Sequence, residues 1–162
     1  MPIDRQQGDK LPVSVFQKHG VLDGTWENGT TAYSKRGVAV TVPQWNPDVC
    51  IQCNRCSMCC PHAAIRPVLL TKEEKKSVPA GFETVPAKGL GKDSPYSFRM
   101  QVSPYDCLGC GVCLTACPAN QSDKTADALV MTPFEEMKPE QANFDQVAMD
   151  DKYLKKGVIN NK

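Results

Sequence analysis

Eight of the nine cysteines lie in two short blocks that share one spacing and one following residue. The spacing is C-x2-C-x2-C-x3-C-P, with Cys50, Cys53, Cys56, Cys60 and Pro61 in one block and Cys107, Cys110, Cys113, Cys117 and Pro118 in the other. Cysteines at this spacing are a signature of iron–sulfur binding. The sequence therefore predicts two 4Fe–4S clusters, whose chemistry is the transfer of single electrons.

The proline after each block predicts how the thiolates are shared between the clusters. Three cysteines that are each two residues apart can wrap one cubane, whereas the proline fixes φ, removes an N–H group and turns the chain away. The fourth cysteine of each block then reaches the other cluster. The predicted ligands are Cys50, Cys53, Cys56 and Cys117 for cluster one and Cys107, Cys110, Cys113 and Cys60 for cluster two.

Zinc is the main alternative for these thiolates, because two C-x2-C pairs also form structural zinc sites. Such sites usually have a longer spacer between the pairs and need no proline after the last cysteine. Disulfides are a weaker alternative. Two complete blocks therefore favour iron–sulfur clusters.

Cys59 and His62 lie beside the fourth ligand of the first block but have no place in the pattern. Cys59 is interpreted as a small buried hydrophobic residue rather than as a spare ligand or a redox-reactive thiol, since the ligand positions are already filled. His62 would either tune cluster two or be solvated, and solvation is favoured.

Apolar and basic residues near the blocks are interpreted as ordinary core and ordinary surface. The expected apolar wall, which would keep water from the clusters, consists of Ile51, Met58, Leu108, Val112, Leu114, Ile65 and Val130. The basic residues are Lys35, Arg36, Arg55, Arg66 and Arg99. They are interpreted as solvated, with binding of an acidic redox partner or raising of a cluster's potential as the alternatives.

The composition argues against nucleic acid and membrane partners. The formal net charge is +1 with neutral thiols, and it becomes about −3 when two oxidised clusters are bound. The first twenty residues carry charges and no apolar segment of a signal peptide, and no apolar stretch is long enough to span a bilayer. An odd number of cysteines suits metal binding in a reducing cytosol, so a cytoplasmic location is expected.

Local signals place a similar unit of strands around each block. The predicted strands are 38–42, 63–66, 98–102 and 128–131, with Pro43 and Pro67 ending the first two. Thr71 and Glu74 form a capping box that predicts a short helix, and Thr132 is predicted to cap another helix that Pro139 ends. The fold class is therefore α+β, with duplicated half-units related by a pseudo-two-fold axis.

The predicted organisation has three parts. Residues 1–29 form an N-terminal arm, because they have turn signals and little periodicity. Residues 30–137 form the di-cluster domain, with an insert at 68–97 between the cysteine blocks. Residues 138–162 form a polar C-terminal linker or tail, which is either disordered or docked on a neighbour.

Several stretches in and around the cysteine blocks carry a resemblance to a known family. They are 29–40, 50–54, 60–67, 81–84, 101–104 and 128–131. In these stretches the chain resembles the ferredoxin-like domain of single-chain pyruvate:ferredoxin (flavodoxin) oxidoreductases. The resemblance implies a bacterial ferredoxin-like fold with two clusters, an insert and extended arms. One departure is Cys59, where the family pattern leads us to expect an apolar residue.

The resemblance also implies a relay function. In that family, other parts of a longer chain bind thiamine diphosphate, pyruvate and coenzyme A, and a third cluster lies beside the thiamine. The two clusters would carry electrons from that third cluster to soluble ferredoxin or flavodoxin. The chain would then be an electron-transfer domain of an oxidoreductase, with no catalytic residues of its own. A free-standing two-cluster carrier is the alternative, which the long arm and insert disfavour.

Overall fold

The computed structural model describes residues 6–25, 28–29, 34–79, 81–90, 94–122 and 126–155. The chain divides into two compact units, with the boundary after Arg36. In the first unit, the described residues form a 3-10 turn at Gly8–Lys10 and a helix, α1, at Val13–Lys18, and neither element has a buried residue. Part of the predicted arm, residues 1–5, 26 and 27, lies outside the described residues.

The described residues of the second unit contain two small antiparallel sheets. In one sheet, β1 (Thr41–Trp45) pairs with β5 (Leu129–Pro133). In the other, β4 (Ser97–Val102) lies between β2 (Ile65–Leu70) and β3 (Val85–Pro86). Each sheet therefore joins a strand that flanks the first cysteine block to a strand that flanks the second.

A short helix lies within each cysteine block, α2 at Arg55–Cys59 and α3 at Val112–Thr115. The order β1–α2–β2 is thus repeated as β4–α3–β5. The prediction of a small α+β fold is confirmed, and the duplication of a half-unit stays a prediction. None of the helices that the structure describes has the length and hydropathy needed to cross a bilayer.

The predicted bounds of the first two strands are wrong, because the prolines expected to end them lie inside the strands. Val38 and Val40 precede β1 and are 59% and 85% exposed, whereas Pro43 lies inside the strand. Pro67 likewise lies inside β2, opposite Met100 of β4. Both β1 and β2 are edge strands. A residue without an N–H group is tolerated there because its nitrogen can face away from the sheet.

The main core lies between the sheets and the cysteine blocks. Its buried members include Ile65, Phe98, Met100, Val102, Leu129, Cys56, Cys113 and Cys117. Ile65 is buried as predicted, but Val130 is 47% exposed. Val130 follows the buried Leu129 on β5, and successive residues of a strand point to opposite faces.

After β5 the described chain continues as α4 (Phe134–Met137), α5 (Glu140–Val147) and α6 (Asp151–Leu154). A second core cluster buries Phe144 and Tyr153 of these helices with Val68 and Leu70 of β2. The described part of the predicted linker or tail, residues 138–155, therefore belongs to the second unit and packs against β2. The apolar residues look scattered in the sequence because each short helix buries only a few side chains.

One of the two predicted helix caps is confirmed. The N–H group of Thr71 donates to Glu74 Oε2 (2.8 Å) and that of Glu74 donates to Thr71 Oγ1 (3.3 Å), although the helix is a single 3-10 turn at Glu74–Lys76. The cap at Thr132 is wrong, because Thr132 lies in β5 and its hydroxyl contacts Gln44. Pro139 precedes α5, which begins at Glu140, and α4 ends at Met137 before it.

Candidate metal centre

The backbone of both cysteine blocks curls because two residues in each block adopt the left-handed conformation. Gln52 and Asn54 each have a φ of +60°, and Gly109 and Gly111, at the equivalent positions, have φ of +69° and +72°. Asn54 directly precedes α2 and Gly111 directly precedes α3. Each loop therefore leads into a short helix that carries the third cysteine of its block.

Equivalent thiols of the two blocks have matching exposure except at the fourth position. The first cysteines are partly buried (Cys50, Cys107), the second are exposed (Cys53, Cys110), the third are buried (Cys56, Cys113), and the fourth are partly buried in one block (Cys60) and buried in the other (Cys117). The loops thus present one thiol outward and hold the next inside the core.

A pocket brings the fourth cysteine of the first block together with the first three cysteines of the second. Its walls include the thiol residues Cys60, Cys107, Cys110 and Cys113. These four residues are the predicted ligands of cluster two. Within the described residues, no three cysteine, histidine or acidic side chains form a group suited to one metal ion. A cubane instead takes its thiolates at four separate iron corners.

The thiols resist ionisation without a bound cation. Burial raises the pKa of Cys56 and of Cys113 to about 12, and repulsion from neighbouring thiols adds to it. The neighbours concerned are Cys50, Cys113 and Cys117 for Cys56, and Cys107, Cys59 and Cys60 for Cys113. Because metals bind thiolates, a positively charged iron core is needed to offset this burial and repulsion. The donor set therefore fits 4Fe–4S clusters.

Backbone amides point at three of the candidate sulfurs. The N–H group of Gln52 donates to Cys50 Sγ (3.4 Å), that of Gly109 to Cys107 Sγ (3.3 Å) and that of Ala64 to Cys60 Sγ (3.3 Å). Such hydrogen bonds stabilise negative charge on a thiolate and raise the potential of a cluster that it holds.

The apolar wall predicted around the ligands is wrong for Val130 and for four residues of the cysteine blocks. Ile51, Met58, Leu108 and Val112 are 45%, 84%, 49% and 43% exposed. They alternate with the cysteines in curled loops, so their side chains point outward while the third cysteine of each block points into the core. The apolar surroundings of the buried thiols therefore come from the main core, including Met100 and Val102, and not from these residues.

Cys59 is partly buried at the end of α2 and packs against the main core. Its thiol donates to the carbonyl oxygen of Cys56 (3.4 Å), and burial raises its pKa. These contacts agree with a packing role. His62 is exposed at the rim of the pocket that contains the second block.

The interpretation of Arg99 as a solvated residue is wrong. Arg99 is 9% exposed, and its guanidinium donates to Glu140 Oε2 (2.7 Å) and Gln101 Oε1 (2.7 Å). Arg66 is also held, since its guanidinium donates to the carbonyl oxygens of Ala63 and Ala148. Both residues therefore serve the packing of the unit.

Gln52 and Lys88 are site residues that the sequence analysis missed. Gln52 is 3% exposed, and its amide donates to the carbonyl oxygen of Pro86 (2.9 Å) and accepts from the N–H group of Lys88 (2.8 Å). The ammonium of Lys88 donates to the carbonyl oxygen of Cys50 (2.9 Å). The signal for Gln52 was a large polar residue at a loop position where the other block has Gly109.

Asn120 was also missed, and it fixes the turn after the second block. Its side-chain oxygen accepts from the N–H groups of Ala128 (2.9 Å) and Leu129 (3.1 Å), and its amide donates to the carbonyl oxygen of Leu129 (2.7 Å). These bonds tie the segment after Cys117 to β5.

Comparison with known families agrees with this geometry. Residues 49–121, which include both cysteine blocks, match the family described as a 4Fe–4S dicluster domain. Residues 49–121 of the chain form a 4Fe–4S dicluster domain. The cofactors of the domain are therefore two 4Fe–4S clusters. Residues 1–39 match a second family, EKR, which is described as a domain of unknown function.

The chain is similar to one segment of several long oxidoreductases. It is 50% identical over 140 residues to the pyruvate-flavodoxin oxidoreductase of Enterobacter agglomerans, covering 86% of this chain and 11% of that protein. It is 48% identical over 146 residues to the pyruvate:ferredoxin oxidoreductase of Moorella thermoacetica, covering 89% and 12%. It is 48% identical over 117 residues to the pyruvate dehydrogenase [NADP(+)] of Cryptosporidium parvum, covering 72% and 6%.

The family resemblance stated from the sequence is confirmed by these identities. The chain spans about a tenth of the length of the first two relatives. The similarity therefore identifies a domain, and the remaining nine tenths of each relative have no counterpart in this sequence.

Proposed function

We propose that the dicluster domain relays electrons one at a time through its two clusters as part of a larger pyruvate oxidoreductase. Cluster one takes Cys50, Cys53, Cys56 and Cys117, and cluster two takes Cys107, Cys110, Cys113 and Cys60. The position of Cys60 carries this proposal. It belongs to the first block in sequence, yet it lines one pocket with three cysteines of the second.

The protein binds, orients and shields the clusters, which supply the one-electron chemistry when bound. The thiols of Cys56, Cys113 and Cys117 are buried in the main core and fix both clusters to the two sheets. The thiols of Cys53 and Cys110 are exposed. Each cluster would thus have one ligand near the surface, where electrons can enter or leave.

Contact between α2 and α3 supports a relay rather than two independent sites. These helices carry the third cysteine of each block. The electrostatic neighbours of Cys56 include Cys113 as well as Cys117. The two clusters would therefore lie close to one another across the contact between the helices.

The proposed electron source is the rest of the oxidoreductase, where thiamine diphosphate and a third cluster would lie, and the proposed acceptor is ferredoxin or flavodoxin. The names of two relatives include these acceptors, whereas the third is named for NADP(+). The domain is thus shared by proteins with different named acceptors. A cytoplasmic location is proposed because nine free cysteines suit a reducing compartment.

The finer organisation of the chain is part of this proposal. Residues 30–137, including the insert at 68–97, would form the cluster-binding body, with duplicated half-units around the two blocks and with α5 and α6 packed against β2. Residues 1–29 and the end of the chain would connect it to neighbouring domains. The second family match ends at residue 39 and the compact units divide after Arg36, which supports a separate N-terminal segment.

Metal and sulfide analysis of anaerobically prepared protein tests the proposal. Two cubanes require about eight iron and about eight sulfide ions per chain, with a brown colour that dithionite bleaches. Colourless protein with bound zinc would contradict it. The free-standing carrier is less supported, because the matched relatives are long proteins. It would be favoured if the native protein that carries this domain proved to be short and exchanged electrons between separate enzymes.

A further inference from the structure

The insert between the cysteine blocks is fixed against the core beside the first block. β3 pairs with β4, and the N–H group of Ala87 donates to the carbonyl oxygen of Tyr96 (3.1 Å). Ala87 is 9% exposed, and Leu90 packs against the same core cluster. The segment around residues 85–90 is therefore tied to β4 and to the main core.

Hydrogen bonds of Gln52 connect this segment to the loop that would wrap cluster one. Its buried amide bonds the backbone of both Pro86 and Lys88, so its donor and its acceptor each have a partner in the insert. The hydrogen bonds offset the strain of a left-handed glutamine. As a result, the backbone of Lys88 has a fixed position next to the cysteine loop.

The side chain of Lys88 contacts the loop of the first cysteine block. Its ammonium lies 2.9 Å from the carbonyl oxygen of Cys50, the first predicted ligand of cluster one. A cation held at this place interacts favourably with the extra negative charge that the cluster carries after it accepts an electron. It therefore favours the reduced form over the oxidised form.

We propose that Lys88 raises the reduction potential of cluster one selectively and so contributes to a difference in potential between the two clusters. This inference rests on the ligand set in the proposed function. The equivalent loop of the second block has Gly109 in place of Gln52, and glycine has no side chain with which to hold such a segment. Because Lys88 is exposed, water and salt screen its charge, and its effect should decrease at high ionic strength.

A redox titration of the anaerobically reconstituted chain, followed by electron paramagnetic resonance with dithionite as reductant, tests this inference. The variant Lys88→Met removes the charge and keeps the length of the side chain, whereas Lys88→Arg keeps the charge. Lys75→Met is the matched control, because Lys75 lies in the exposed 3-10 turn of the same insert. Iron and sulfide content are measured for each protein.

We expect Lys88→Met to shift one of the two reduction steps to a more negative potential and to leave the other in place. Lys88→Arg should retain most of the wild-type value, Lys75→Met should shift neither step, and the Lys88→Met shift should shrink in high salt. Equal shifts of both steps, no shift, or loss of iron from Lys88→Met would overturn the inference. If the wild-type chain shows no pair of one-electron steps, the proposed function itself fails.

Discussion

The two cysteine blocks reach one backbone shape with different residues. Both have left-handed residues at the same two positions, but the first block uses Gln52 and Asn54 where the second uses Gly109 and Gly111. A left-handed conformation costs a non-glycine residue roughly 1–2 kcal/mol. Requirements outside the loop must therefore explain why the first block retains side chains at these positions.

The surroundings of each loop supply that explanation. A Cβ atom on Gly109 would lie 2.8 Å from the carbonyl oxygen of Thr41, so β1 leaves no room for a side chain there. Gln52 instead faces the insert and bonds its backbone. The comparison teaches that the two loops share one shape and one ligand spacing, while the choice between Gln52 and Gly109 follows from what lies next to that position.

Among the substitutions that test this comparison, loss of a cluster ligand should have the largest effect on cluster content and stability. Cys53→Ala removes the exposed ligand proposed for cluster one and should lower iron and sulfide to about half of the wild-type content. Because the proposed ligand sets exchange the fourth cysteines between the blocks, the thermal stability of the whole unit should fall as well. Cys59→Ala is the control, and its iron content should equal that of wild type. Unchanged iron in Cys53→Ala would contradict the ligand assignment.

Substitution of Gly109 and Gly111 separates the cost of a left-handed backbone from the cost of a steric contact with β1. Gly109→Ala should destabilise the unit by about 3 kcal/mol, since the left-handed strain is joined by overpacking against β1. Gly111→Ala has the same sign of φ but nothing within 4 Å of its Cβ position, so about 1 kcal/mol is expected. Denaturant unfolding of the reconstituted proteins measures both. Equal losses in the free energy of unfolding would show that the contact with Thr41 does not contribute to the cost.

Removal of the Gln52 amide should loosen the first block alone. Gln52→Ala leaves the carbonyl of Pro86 and the N–H group of Lys88 without this partner, which should cost roughly 1–3 kcal/mol. Limited proteolysis should then cut the insert near residues 84–90 faster than in wild type. Gln121→Ala, which changes an exposed glutamine after the second block, should leave the cleavage rate unchanged. Equal cleavage of the two variants would contradict a clamp at Gln52.

Substitution of Glu140, whose carboxylate is partly buried, should have the smallest effect on stability, and that effect depends on pH. Burial opposes its ionisation, but hydrogen bonds from Gln101, Asn143 and Arg99 and the charge of Arg99 lower its pKa below 4.5. A lowered folded pKa contributes stability above the unfolded pKa that is lost as pH falls through the folded value. Glu140→Gln should therefore be less stable than wild type at pH 7 by about 1–2 kcal/mol.

The difference in stability between Glu140→Gln and wild type should shrink as the pH falls below about 4.5. Comparison of the two proteins under identical conditions removes the effect of cluster loss in acid, since both carry the same ligands. Denaturant midpoints at several pH values provide the measurement. A difference that stays constant with pH would mean that the charge of Glu140 does not contribute.

The sequence predicted those features that depend on spacing and period. The cysteine spacing led to two clusters, and the strands near residues 98–102 and 128–131 were located to within two residues. The capping box at Thr71 was also correct. These features are local, so a short stretch of sequence contains the information for them.

Features that depend on distant partners were not predicted. Pro43 and Pro67 are tolerated because their strands form sheet edges, which only the pairing reveals. Arg99 is buried because Glu140 lies opposite it, although the two are far apart in sequence. The contact of Lys88 with Cys50 likewise needs the folded insert.

The most direct test of the central claim compares the cluster that remains in three variants. Electron paramagnetic resonance and midpoint potentials of reduced Cys60→Ala, Cys110→Ala and Cys53→Ala identify that cluster. If the fourth cysteines are exchanged, Cys60→Ala should match Cys110→Ala, because both lose a ligand of cluster two. A Cys60→Ala protein that matched Cys53→Ala instead would show that each block holds its own cluster, and the account would be wrong.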